Sequence, residues 1–353
     1  MVEVREARYR TPFLVVAVLF ILWGIFGAAD LPNIPYVGYL TDGNNTVVQV
    51  EPGSPAQLAG MQVGDYITSI AGIPVEDSRA LARLPRPQVG DTRTLVVEQR
   101  AETELAAAPG RPPSRSVELT YLAQPGRDLT LGIAGVFIGL CFVVFGLGAY
   151  MRVPTRSATL LALTGLCLGV AFFAGPYLQS FTLRTIAAAI QLVIIIFGFA
   201  FLLHFMLEFP QTKAILAKAH MTKLLYAPAL LMAIFALFLI ILQPAATSTL
   251  NVLARSLFGL FVVVYFGLAL WAMIHSYVKA SPRQRSGYGL NFMLVGVIIG
   301  LLPITIAALI GVFAPRVVLP GYNFYFLTLV LIPFALAAAV IKSERAPAPA
   351  PIM

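Results

Sequence analysis

The chain has 353 residues, 59% of them hydrophobic and 11% charged, with a formal net charge of +8. Soluble domains carry about 25% charged residues, so a wholly soluble globular protein is excluded. The positive charge is scattered through short loops and builds no basic face, which excludes nucleic acid as a partner.

A helix needs about 20 apolar residues to cross a bilayer. Residues 1–11 carry Arg5, Arg8 and Arg10 and read as a cytoplasmic N-terminus; 12–29 is the first apolar window. The run from Leu14 to Gly27 is long for a signal peptide, and Gly27-Ala28-Ala29-Asp30 is a weak cleavage match. An uncleaved transmembrane anchor is expected.

Residues 30–128 change character, with twelve acidic residues and eight arginines. Thr46-Val-Val-Gln-Val50 alternates like a strand. In Glu51-Pro-Gly-Ser-Pro-Ala-Gln-Leu-Ala-Gly60, Ser54 suits an N-cap, Pro55 the first helical position and Gly60 the C′ position. Val63-Gly64-Asp65 predicts a turn, Tyr66–Ile70 a strand, and Ala71-Gly72-Ile73-Pro74 a second turn. Ser78–Leu84 predicts a helix with Leu81 and Leu84 on one face. Thr94–Glu98 and Val117–Tyr121 read as closing strands, and Ala101–Arg115 between them as a flexible Ala/Pro-rich excursion.

The set Ser54-Pro55-Ala56, Ala59-Gly60, Gly64-Asp65, Ile67, Ile70 and Gly72 resembles the core signature of bacterial PDZ domains, as found in high-temperature-requirement serine proteases and site-2 proteases. Tyr36-Val37-Gly38-Tyr39 is similar to their carboxylate-binding loop. The resemblance implies a β-sandwich or barrel with two short helices. It also implies that N–H groups at Val37, Gly38 and Tyr39 receive a C-terminal carboxylate. A peptide would add as a strand beside Tyr39 and Leu40, with its last side chain in a pocket lined by Leu81 and Leu84. The alternative is a vestigial groove or one filled by the chain itself.

Seven further windows follow, at 129–150, 158–178, 185–208, 224–243, 252–278, 288–313 and 322–341. Cytoplasmic loops collect Lys and Arg. With the N-terminus inside, the inner segments hold thirteen basic residues, including all five lysines, whereas the short outer loops hold only Arg184, Arg255 and Arg316. Both termini are then cytoplasmic and 30–128 extracytoplasmic. Tyr322, Phe324, Tyr325 and Phe326 suit an outer aromatic belt. The pairs Gly135/Gly139 and Gly165/Gly169 have small-xxx-small spacing and predict close packing of helices within the chain. Pro303 and Pro333 lie inside spans and are candidate kinks.

The expected fold class is thus a polytopic α-helical membrane protein of about eight transmembrane helices with an inserted extracytoplasmic PDZ-like domain. The expected divisions are 1–11, the anchor 12–29, the insert 30–128, a seven-helix bundle 129–341, and a disordered cytoplasmic tail 342–353.

Catalytic signatures are missing. His204-Phe-Met-Leu-Glu208 lacks the second histidine of a His-Glu-x-x-His zinc site, no Gly-x-Ser-x-Gly elbow occurs, and Glu208 is the one acid between Leu129 and Ile341. No enzyme activity and no cofactor are expected. His204, Glu208, His220 and His275 collect near one membrane face and are the available metal or haem ligands; separate interfacial residues are the reading adopted. Cys141 and Cys167 sit in apolar runs and read as packing residues. Gln191, Asn291 and Thr305 are the notable mid-span polar groups, and no coupling carboxylate accompanies them.

The order of one span, PDZ-like domain and seven spans resembles the membrane input module of a class of bacterial sensor histidine kinases, including the Phe209-Pro210 pair after the fourth span. That family continues into a kinase. Here Lys342-Ser-Glu-Arg345 and a Pro/Ala tail ending Pro351-Ile352-Met353 follow instead, so output is expected through a membrane or cytoplasmic signalling partner. The expected function is that of a receptor or adaptor in a bacterial inner membrane, binding a peptide or protein C-terminus outside. The alternatives are a substrate-presenting subunit of a membrane protease and a transporter.

Overall fold

The structure is a computed structural model that describes residues 10–42, 44–99, 114–218, 220–245, 248–313 and 321–345. Helix α1 (Arg10–Asp30) buries only Ala17, Gly24 and Gly27. Val15, Leu19 and Phe26 point outward and are more than half exposed, as a lipid-facing surface requires. A Cβ on Gly27 would lie 1.5 Å from the Ala174 carbonyl oxygen, so the close approach of α1 to the 173–180 loop needs glycine there.

The insert runs β1 (Pro35–Tyr36), β2 (Tyr39–Thr41), β3 (Val47–Val50), α2 (Pro55–Leu58), β4 (Asp65–Ile70), β5 (Ile73–Pro74), α3 (Ser78–Arg83), β6 (Thr92–Gln99), β7 (Ser114–Thr120) and β8 (Leu122–Ala123). The sheets are β1-β8, β2-β3 and β5-β4-β6-β7. The β1-β8 pair ties the entry and exit of the insert together, Pro35 opposite Ala123 and Tyr36 opposite Leu122. Alternation along the strands sends Val47, Ile67, Leu95, Val97, Val117 and Leu119 into one apolar core. The excursion expected at Ala101–Arg115 lies outside the described residues up to 113; Ser114 and Arg115 belong to β7, where they pair with Glu98 and Val97.

The remaining helices are α4 (Gly126–Arg152), α5 (Arg156–Phe172), α6 (Phe181–Glu208), α7 (Met221–Leu242), α8 (Thr249–Lys279), the short α9 (Pro282–Gly287), α10 (Leu290–Phe313) and α11 (Leu331–Arg345). Among the described residues, seven helical segments are long and apolar enough to cross a membrane. The window expected at 158–178 is not one of them, because α5 ends at Phe172 after 17 residues. The backbone turns extended at Phe173 (φ −78°, ψ 121°), and Pro176, which lacks an N–H and disfavours helical backbone at Gly175, keeps the helix from resuming. At 1.5 Å per residue α5 covers about 26 Å.

The last window also differs in detail, since Tyr322–Val330 is a 3-10 segment that leads into α11. Pro333 therefore falls in the first turn of α11, at the junction with the 3-10 segment, and not within a long span. The helix continues to Arg345, so Lys342–Arg345 are helical and not part of a disordered tail; the Ser343 hydroxyl donates to the Val340 carbonyl within this last turn.

Glycines form the seam between α4 and α5. A Cβ on Gly139 would sit 2.6 Å from the Gly169 carbonyl oxygen, and one on Gly165 2.3 Å from that of Phe142. The small-xxx-small pairs thus pack two helices of the same chain backbone to backbone. Gln191 of α6 donates to the Val170 carbonyl at 3.1 Å, satisfying an end group of α5.

Candidate peptide-binding site

Tyr36-Val37-Gly38-Tyr39 crosses from β1 into β2, and Gly38 is the conformational pivot with φ +75°. Its carbonyl accepts the Glu51 N–H at 2.8 Å and the Ser54 hydroxyl at 3.3 Å, and the Val37 carbonyl accepts the Ala56 N–H at 3.0 Å. These bonds lash the loop to the start of α2, where Ser54 also caps the helix by accepting the Gln57 N–H at 3.3 Å. The carbonyls face α2, while the N–H groups of Val37 and Gly38 join no hydrogen bond among the described residues. A loop with its carbonyls bound inward and two successive donors left over is suited to receive a carboxylate.

The surrounding groups fit that reading. The Tyr36 hydroxyl donates to Glu51 Oε2 at 2.7 Å, and Arg127 lies 3.5 Å from Glu51 Oε1, so the nearest carboxylate is already engaged. Burial pushes the Tyr36 phenol up to about 12, with the Glu51 carboxylate adding to the shift. Burial likewise raises Tyr39 to about 12. Among the described residues β2 pairs with β3 alone, leaving its other edge for an incoming strand.

The structure distributes the expected site residues unevenly. Val37, Tyr39 and Leu81 pack on the core of the insert. Leu40 is 56% exposed on β2. Leu84 is the C-cap residue of α3 and is not among the residues packed on that core.

The outer face of α3 is fastened to the ends of the membrane helices. The Ser78 hydroxyl donates to the Gln243 carbonyl at 2.6 Å, and Arg79 donates to the Leu242 carbonyl at 3.1 and 3.2 Å. Arg184, from the first turn of α6, donates to the Ala82 carbonyl and to that of Leu84 at 3.3 Å. Tyr177 donates to the Pro87 carbonyl at 2.7 Å and carries Arg86 over its ring at 4.8 Å. Sequence reasoning did not find these contacts. The one available signal was Arg184, a cation in the first turn of a largely apolar helix.

The histidines are not gathered. His204 bonds Tyr226 through Nδ1 at 2.8 Å, Glu208 faces Thr212 at 2.9 Å and Arg156 at 3.6 Å, His275 lies over Trp271, and His220 is exposed before α7. Among the described residues no group of three or more His, Cys, Asp or Glu side chains could hold a metal ion.

The match to known families lies in the insert, and no curated protein or solved structure matches the chain. The PDZ domain family matches residues 46–99, which run from the start of β3 to the end of β6 and include α2 and α3. Residues 46–99 are therefore a PDZ domain, a type that binds peptide C-termini by strand addition, carried by a chain with seven helices apolar enough to span a membrane.

Proposed function

We propose that this protein is a non-enzymatic membrane receptor or adaptor. Its PDZ domain captures a peptide or protein C-terminus outside the cytoplasm of a bacterium, and the state of the groove passes to the helical bundle and on to a signalling partner. The observation that carries this reading is the fastening of α3. The helix expected to form one wall of the groove is bonded through Ser78 and Arg79 to the carbonyl end of α7, and through its own carbonyls to Arg184 of α6. A ligand that shifts α3 has a direct mechanical path to two membrane helices. Lysines collected on the opposite end of the bundle support the placing of the PDZ domain outside.

The chemistry asked of the groove is modest. A few residues bound by strand addition give affinity on the order of micromolar, about 8 kcal/mol. Much of it rests on the carboxylate, since charge-assisted hydrogen bonds are the strong ones. The test presents free and amidated peptides with varied last residues to the full-length protein in nanodiscs. Free peptides with an apolar last residue should bind, amidation should remove most of the binding, and a bound peptide should change hydrogen exchange in 78–84 and at the outer ends of α6 and α7. Equal binding of amidated peptides, or binding with no change at the helix ends, refutes the proposal.

A further inference from the structure

A cavity of about 460 Å³ opens where α6 gives way to the loop that follows it. Gln211, Thr212 and Lys213 of that loop and His275, Ser276 and Lys279 of α8 make its polar wall. No carboxylate is among its described lining residues. The Lys213 ammonium donates to the Ser276 hydroxyl and to the Met206 carbonyl, and it forms no ion pair among the described residues. Burial holds this amine well below its usual range, at about 8, the direction expected of a cation lacking a counter-ion. Glu208 is turned to Thr212 and Arg156.

The polar cavity shares Leu207, Ile215 and Trp271 with a second cavity of about 270 Å³. The second is almost wholly apolar, walled by α7 and α8 through residues such as Leu224, Val264 and Leu268. Along α8 the two walls together run from Val264 to Lys279, roughly 22 Å at 1.5 Å per residue. Trp271 is 57% exposed and Leu224 59%, so the apolar part opens sideways toward lipid. The carbonyl ends of α6 and α8 each contribute about half a negative charge here. Lys213 and Lys279 exceed that sum, and the pocket keeps a positive balance.

We infer that these joined cavities are a binding site for an anionic phospholipid, its phosphate held by Lys213 and Lys279 and an acyl chain lying along α7 and α8. A basic pocket between helices at a membrane face fits a phosphate-bearing headgroup. A free phosphate would fill the polar end and leave the apolar arm empty, which is why the lipid is the chosen occupant. The site lies at the end of the bundle away from the PDZ domain and does not depend on the peptide reading.

Trp23 and Trp271 are the two tryptophans of the chain, so a Trp23→Phe background leaves Trp271 as a reporter at the junction of the cavities. The full-length protein is reconstituted in phosphatidylcholine bilayers containing either brominated phosphatidylglycerol or brominated phosphatidylcholine. Quenching of Trp271 should show the anionic lipid bound roughly tenfold more tightly. Lys213→Gln with Lys279→Gln should bring the ratio near one, and the corresponding Arg pair should keep it. Equal quenching by both lipids would leave the groove to a protein segment and overturn the inference. So would an unchanged preference in the Gln pair. Relief of the preference by millimolar inorganic phosphate or glycerol phosphate would assign the pocket to a soluble anion and refute the lipid assignment. Should the Gln pair fail to fold, the lipid ratio and the phosphate competition still decide the matter.

Discussion

Gly38→Ala should destabilise the PDZ domain for two separable reasons. The backbone there has φ +75°, and the added Cβ would stand 2.1 Å from Ser54 Cβ and 2.7 Å from both Ser54 Oγ and the Tyr36 hydroxyl. The left-handed backbone costs an alanine about 1–2 kcal/mol. Crowding against the packed start of α2 costs about 1–3 kcal/mol more. Gly72→Ala is the control, because Gly72 has φ +79° but nothing within 4 Å of the added Cβ. It meets the first penalty and not the second. Any gain from a stiffer unfolded chain is common to both variants and cancels in the comparison. Gly38→Ala should thus be less stable than Gly72→Ala by about 2 kcal/mol. For a domain of this size that difference corresponds to a Tm lower by about 10 °C. Equilibrium urea unfolding and thermal melts of the 31–127 segment, with both variants measured together, provide the comparison. If the two variants unfold within about 0.5 kcal/mol of each other, the loop does not make the close approach to Ser54, and the geometry assigned to the carboxylate site is wrong.

Arg115→Ala should cost about 2–3 kcal/mol, because it leaves the fully buried Asp65 carboxylate with only the Gln62 N–H; a loss below about 0.5 kcal/mol in urea unfolding would contradict the pairing. Replacing Ser78, Arg79 and Arg184 together by Ala should speed hydrogen exchange in 78–84 of the full-length protein and remove the peptide-induced change at the outer ends of α6 and α7. Peptide affinity should stay within about threefold, since no groove atom is lost; a change at the helix ends that survives the triple substitution would place the relay elsewhere. Ser114→Cys should react with an impermeant thiol reagent applied to intact spheroplasts and Ser281→Cys should not, both positions being exposed; reversed labelling would invert the orientation.

Much of the architecture was legible along the chain because it rests on local chemistry. Runs of about 20 apolar residues can satisfy their backbone in lipid only as helices. The contrast between the acidic 30–128 insert and the nearly acid-free bundle separates the two parts in the sequence itself. Ser54-Pro55 and Gly60 marked α2 through capping preferences that act within one turn, and the structure places that helix at Pro55–Leu58. The Gly38 loop could be suspected from residue type alone, since a glycine just before a strand permits backbone that other residues avoid.

What the tertiary structure decided involves partners far apart in sequence. That Gly38 faces Ser54 and that Gln191 of α6 takes the Val170 carbonyl where α5 ends are matters of packing, not of hydrophobicity. Leu81 and Leu84 share a helical face by spacing, yet Leu81 joins the core and Leu84 ends the helix with its carbonyl turned to Arg184. His204 meets Tyr226 and His275 meets Trp271, and helical periodicity says nothing about which neighbour a face will meet. The bonds from α3 to Leu242, Gln243 and Arg184 join residues 100 to 165 positions apart. A side chain donating to a carbonyl leaves no pairing rule in the sequence, because every residue offers the same carbonyl; only the fold chooses which one.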